Sequence, residues 1–168
     1  MLALSSNALW ISVLVVMATM AALRRDRQML GFLAALLLAL ALVDPATAYL
    51  LKPWFARLRP CHALDDVFLP GGGCGGLFSF PSNHAVNAGA VVGVLLLSPV
   101  SWRRQILPVA VTLAVAVCFS RVWVGVHYPA DVVAGLLIGI FSGGSASVVV
   151  QRIRKRFHAS SGKNSFLD

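Results

Sequence analysis

Apolar and polar positions fall into blocks along this chain. Five long apolar blocks, at residues 7–23, 28–51, 81–100, 105–119 and 129–150, are separated by short polar segments. A helix needs roughly 20 apolar residues, with about 17 as the lower limit, to cross the hydrocarbon of a bilayer. The block at 105–119 reaches that length only if residues 120–124 extend it. The pattern predicts an all-α, polytopic transmembrane bundle of about five spans. It forms a single domain over residues 1–168, with a core at 50–150 and a polar tail at 158–168 expected to be disordered. The first block has no basic residues ahead of it and is followed by Arg24, Arg25 and Arg27. That is the pattern of a retained helix rather than a cleaved leader.

Composition agrees with lipid as the solvent. Of the 168 residues, 58% are hydrophobic and 12% charged, against about 25% charged in soluble domains. The formal net charge of +8 does not point to nucleic acid, because the basic residues form short clusters between apolar blocks and no soluble segment carries a continuous patch. Five spans divide the 14 Lys and Arg residues into two sets. Arg24, Arg25, Arg27, Arg103, Arg104, Arg152, Arg154, Lys155, Arg156 and Lys163 fall on one side. Lys52, Arg57, Arg59 and Arg121 fall on the other. The larger set marks the cytoplasm, so both the N-terminus and the smaller set lie outside.

Those four outer cations sit among the other polar side chains that carry candidate chemistry. Lys52 to Pro60 close the second span, Pro81-Ser82-Asn83-His84 open the third, and Ser120-Arg121 with His127-Tyr128-Pro129-Ala130-Asp131 lead into the fifth. Proline suits the first position of a helix, so Pro81 and Pro129 predict two helix N-termini aimed at the same membrane face. Such termini favour anions. With Lys52, Arg59 and Arg121 they suit a phosphate monoester, which carries nearly two negative charges. Arg57 reads as a rim charge. The four-residue spacing lets Asp131 reach one ring nitrogen of His127, fixing its tautomer while the other nitrogen attacks phosphorus. His84 is placed to protonate the leaving oxygen, and Ser82 to bond a phosphate oxygen.

In order and spacing, Lys-x6-Arg-Pro, Pro-Ser-x-His and Ser-Arg-x5-His-x3-Asp resemble the three motifs of the type 2 phosphatidic acid phosphatase family, over roughly residues 50–150. The resemblance implies a metal-independent helical membrane phosphatase without a cofactor, working through a phosphohistidine. Carried over by position, His127 is the nucleophile, Asp131 its partner and His84 the general acid. Lys52, Arg59, Ser82, Asn83 and Arg121 become the phosphate-binding set. Asn83 departs from the family, which usually has glycine there; Asn tolerates left-handed angles, but its backbone contact to phosphate is put in doubt. With the outward face, the resemblance favours undecaprenyl diphosphate as substrate, in a bacterial cytoplasmic membrane with the site facing the periplasm. Phosphatidylglycerol phosphate, phosphatidate and lipid A phosphates are the alternatives. A non-enzymatic anion carrier could use the same cations, but would not need the His127–Asp131 spacing.

Other features have plainer readings. Gly71 to Gly76 lack the Lys-Ser/Thr of a nucleotide loop and read as a flexible connection. Cys61 and Cys74 flank this loop on the oxidising side, which predicts a disulfide; Cys118, within an apolar block, reads as packing. Gly89-x3-Gly93 and Gly135-x3-Gly139 are small-residue packing motifs. They either bring the third and fifth spans together, and with them the two histidines, or serve an oligomer contact. Asp44 is an acidic residue at membrane depth and so a functional candidate, either pairing with a site cation or capping the break before Pro45.

Overall fold

The protein is described by a computed structural model covering residues 19–20, 23–65, 67, 69 and 73–164, with side chains as far as Phe157. Among the described residues six α-helices are delimited in order: α1 (Arg27–Ala46), α2 (Lys52–Phe55), α3 (Pro60–Ala63), α4 (Asn83–Leu97), α5 (Arg103–Trp123) and α6 (Pro129–Asn164). The all-α transmembrane architecture is as predicted. Among the described residues three helical stretches, Arg27–Phe55, Arg103–Trp123 and Pro129–Phe157, are long and apolar enough to cross a membrane, and Asn83–Leu97 is a shorter apolar helix. The span predicted at 7–23 lies almost wholly outside the described residues. The marginal fourth span extends at both ends to a 21-residue helix. The tail from 158, expected to be disordered, continues the backbone of α6 as far as Asn164.

Local chemistry sets the helix boundaries. Asp26 caps α1, accepting hydrogen bonds from the N–H groups of Gln28 and Met29 at 2.9 and 3.0 Å, as an aspartate does for orphan donors. Pro45 lies near the end of α1, where its ring crowds the preceding turn and removes a donor. The chain responds with a π-helical turn, Thr47–Leu51, and the buried Thr47 hydroxyl donates to the Val43 carbonyl at 2.7 Å. A left-handed Ala56 (φ 46°) then ends α2 and turns the chain across the top of the bundle.

The centre of the bundle is α4, lying between α1, α5 and α6. At 15 residues it spans only about 22 Å, yet it carries buried Ala85, Val86, Ala90, Val92, Val94 and Leu95. By contrast α5 buries only Ala114 among its described residues and exposes Ile106, Val109, Leu113, Val115 and Phe119. In a bilayer these face lipid, whose tails are as apolar as leucine.

The glycines resolve the choice left open by the sequence. A Cβ on Gly139 would collide with the Val86 carbonyl, and one on Gly93 with the Ile140 carbonyl; Gly89 and Gly143 meet the carbonyls of Leu136 and Ala90 in the same way. The two small-residue motifs therefore interlock α4 with α6 within one chain. Without hydrophobic attraction between helices in lipid, such backbone proximity supplies the packing. A Gly139→Leu variant should lose its folded state in detergent, since its side chain would need to displace backbone. Gly76→Ala, whose Cβ would meet nothing within 4 Å, should keep the wild-type melting temperature. Thermal unfolding of the two purified variants checks both outcomes.

Candidate active site

Three segments meet at the end of the bundle opposite the Arg27–Arg154 end, joined by backbone hydrogen bonds. After the turn at Ala56, residues 57–59 run beside residues 77–79. Leu58 forms an isolated antiparallel bridge with Phe78, Ser79 N–H donates to the Arg57 carbonyl at 2.8 Å, and Arg59 N–H to that of Leu77 at 3.2 Å. Lys52 adds a tie, its Nζ donating to the Phe78 carbonyl at 3.0 Å. Ser82 N–H in turn donates to the Asp131 carbonyl at 3.1 Å, linking the start of α4 to the start of α6. Gly125 (φ 68°) closes α5 in a conformation that costs glycine little, so the chain turns from Arg121 to His127 within six residues.

Pro129 is the first residue of α6. Pro81 is not the first residue of α4: it precedes the cap residue Ser82 and follows a cis peptide bond from Phe80, and Asn83 begins the helix. The expectation of two prolines at equivalent helical positions is thus corrected at one of them, although both helices still begin at this end.

Arg59, His84 and Arg121 line one cavity of about 400 Å³, together with Gly75, Val124 and Val126. His84 is exposed to it, whereas His127 is buried, at 4% exposure. The pKa of His127 is lowered from 6.5 to about 3, first by burial, then by the positive charges of Arg59, Lys52 and His84, with a hydrogen bond to the Ser79 backbone opposing. The shift therefore reports both a desolvated ring and cations around it. Burial lowers the pKa of Arg59, Asp131 raises it, and Arg121 lowers it again. Three buried polar atoms here, Arg59 Nε, Ser82 Oγ and His127 Nδ1, have no hydrogen-bond partner within the protein. Buried polar atoms are seldom left so, and these three belong to the three different segments.

Asp131 is fully buried, and its contacts differ from the simple pairing read from the four-residue spacing. Its Oδ2 accepts the Tyr128 N–H at 2.8 Å and stands 3.6 Å from His127 Nδ1, beyond hydrogen-bond length. Its Oδ1 accepts from Arg57 Nη1 at 3.0 Å, and the Arg57 guanidinium also lies 4.1 Å from the centre of the Tyr128 ring. Arg57, read from the sequence as a rim charge, is instead the ion-pair partner of the buried carboxylate. Its position two residues before Arg59, within the Lys-x6-Arg-Pro segment, is the only sequence signal for this.

The side chain of Asn83 is engaged elsewhere. Its side-chain amide turns from the cavity and donates to Asp44 Oδ1 at 3.0 Å, and Asn87 donates to the same oxygen at 2.9 Å. Asp44 ties α1 to the first turns of α4 through these two bonds, and its charge also acts on Lys52. Asn83 retains only a backbone N–H to offer at the helix start. Cys61 and Cys74 are joined in a disulfide with a Cα–Cα distance of 6.0 Å, and Cys74 borders the cavity. Among the described residues no group of three or more His, Cys, Asp or Glu is placed to hold a metal ion.

Comparison with known proteins agrees with this architecture. A lipid A 4′-phosphatase of Bacteroides thetaiotaomicron is 30% identical over 135 residues, covering 77% of this chain and 59% of that protein. An undecaprenyl-diphosphatase of Sulfolobus acidocaldarius is 40% identical over 90 residues, 50% of this chain and 39% of the relative. The chain thus spans less than two thirds of either curated relative. The crystal structure of a transmembrane PAP2-type phosphatidylglycerolphosphate phosphatase from Bacillus subtilis superposes with a TM-score of 0.64 at 26% identity, covering 91% of this chain and 72% of that one. The PAP2 superfamily model matches residues 28–155, and the chain is a membrane protein belonging to that superfamily.

Proposed function

We propose that this chain is a metal-independent lipid phosphatase acting through a phosphohistidine on His127. The observation that carries the reading is the convergence of a buried neutral imidazole, an exposed second histidine and three cations at one end of a membrane bundle. In the first step a ring nitrogen of His127 donates its lone pair to phosphorus. A P–N bond forms, the P–O bond to the lipid or lipid phosphate breaks, and the departing oxygen takes a proton from His84. In the second, His84 takes a proton from water, whose oxygen attacks phosphorus as the P–N bond breaks. Lys52, Arg59, Arg121 and the Ser82 hydroxyl stabilise the charge spread over the equatorial oxygens, with the Asn83 N–H at the start of α4 as a further donor. Asp131 supports the imidazolium that forms on phosphorylation. Cations already supply the stabilisation that Mg²⁺ gives other phosphoryl-transfer sites.

We read the site as facing the periplasm of a bacterial cytoplasmic membrane, because the other end carries the larger basic set. A substrate arriving from the bilayer is amphiphilic, and on that face undecaprenyl diphosphate is the first candidate. A lipid A phosphate is the second reading, favoured by the long match to the Bacteroides phosphatase.

Purified protein in detergent, given undecaprenyl diphosphate, lipid A, phosphatidylglycerol phosphate and phosphatidate in parallel, should release phosphate fastest from undecaprenyl diphosphate. His127→Ala should lower that release by at least about 10³-fold; a wild type that turns over none of the four would remove the enzymatic reading and leave an anion carrier. Activity should survive EDTA, and loss that Mg²⁺ restores would overturn metal independence. The depressed His127 pKa also has a sign for stability. The unfolded ring binds a proton below pH 6.5 and the folded one only near pH 3, so burial of the neutral ring stabilises fully above 6.5 and progressively less as pH falls toward 3. At pH 5 the loss is about 2 kcal/mol. Melting temperatures at pH 7.5 and pH 5 should therefore differ more in wild type than in His127→Gln, which cannot take the proton.

A further inference from the structure

Among the outer cations, Arg57 is distinguished by what its charge is engaged with. Its side chain is 42% exposed while the carboxylate it pairs with is 0% exposed. An exposed arginine of this kind usually contributes little, but here its partner has no access to water. Removing the guanidinium would leave the buried carboxylate with the Tyr128 N–H as its remaining hydrogen bond, free to turn away from His127 about its side-chain torsions.

Arg57 is also held in place more firmly than its exposure suggests. Its carbonyl accepts both the N–H and the hydroxyl of Ser79, at 2.8 and 3.2 Å, so its backbone is fixed to the segment that leads into Ser82 and His84. Its guanidinium then meets the 127–131 segment at two points, the ring of Tyr128 at 4.1 Å and Oδ1 of Asp131 at 3.0 Å. The grip on Oδ1 leaves Oδ2 as the oxygen directed at His127 Nδ1, 3.6 Å away. A shift well under 1 Å would close that gap to a hydrogen bond.

We propose that Arg57 is a positioning residue that holds the Asp131 carboxylate with its Oδ2 turned toward His127, without itself touching substrate. The inference rests on the phosphatase reading above. It gives Arg57 a role different from that of Arg59 two residues later, which lines the cavity.

The test measures kcat and KM for Arg57→Ala, Arg57→Lys, Asp131→Asn and the Arg57→Ala/Asp131→Asn double variant, on the lipid phosphate of the panel that wild type cleaves fastest. Arg57→Ala should lose about 10- to 100-fold in kcat with KM within about threefold of wild type. Arg57→Lys should recover most of that loss by restoring a charge beside Oδ1. The double variant should be no slower than Asp131→Asn, because the arginine acts through the carboxylate that is already gone. If Arg57→Ala does not fold, as judged by helicity and monodispersity in detergent, Arg57→Lys and the double variant, which has no buried charge to orphan, carry the test.

Three results would overturn the proposal: Arg57→Ala turning over like wild type, a rise in KM at unchanged kcat that makes Arg57 a substrate ligand, or losses that multiply in the double variant. Wild type and His127→Ala are assayed alongside. An inactive wild type removes the phosphatase reading and this inference with it, whereas an active wild type beside an insensitive Arg57→Ala removes only the inference.

Discussion

The approach of α4 and α6 is the constraint on which the remaining geometry rests. The carbonyls of Val86 and Ile140 occupy space where Gly139 and Gly93 would otherwise carry a Cβ, so the two backbones lie as near as helices can. Because lipid does not drive helices together through apolar burial, this fit must come from shape and dispersion. It fixes the axial register of the helices as well as their separation. A displacement by one residue would set a Cβ against a carbonyl. The starts of α4 and α6 carry His84 and Asp131, and a fixed register below places them at one level above.

Upon that rigid pair the third segment is laid by backbone hydrogen bonds, and only then do charges enter. The bridge between residues 57–59 and 77–79 brings two arginines side by side with opposite tasks, Arg57 toward the buried Asp131 and Arg59 toward the cavity. The Asp44–Asn83–Asn87 cluster does related work lower down, tying α1 to α4 with hydrogen bonds that cost nothing in net charge beyond Asp44 itself. A polar cluster in a membrane bundle need not be a substrate path; here it fastens the helix that carries His84.

Much of this was legible in the chain, for identifiable reasons. Among the described residues apolar block length specified the three long helices, while the block at 81–100 gave the shorter helix Asn83–Leu97; the Gly-x3-Gly repeats announced close packing because few other functions require that spacing. Histidine and aspartate four apart, with cations nearby, pointed to the end of the bundle where the structure gathers them. Arg57 was not legible, because its direction depends on the left-handed turn at Ala56, where alanine gives none of the signal that glycine would. The side chain of Asn83 was not legible for a related reason: a residue at a helix start has both a backbone and a side chain to offer, and only the position of Asp44 across on α1 decides where the amide goes. Pro81 read as a first helical residue because trans proline favours that place, whereas the chain uses it one residue before the cap.

The charge balance of the site follows from that sorting. Of the four outer cations, Arg57 is neutralised by Asp131, so its charge is largely withdrawn from the cavity. Arg59 and Arg121 line that cavity, and Arg59 and Lys52 add to burial in lowering the pKa of His127. On the phosphatase reading proposed above, the same cations would be offset by a phosphate dianion, so the charges that lower the ring's pKa are the ones a bound phosphate would engage. The imidazolium of that mechanism would then form beside the phosphoryl group and Asp131 rather than beside bare cations. An exposed histidine with an ordinary pKa would not have its protonation coupled so strongly to the arrival of a phosphate. In the proposed mechanism the nucleophile would be held ready by repulsion and stabilised after attack by the negative charge that the reaction itself brings.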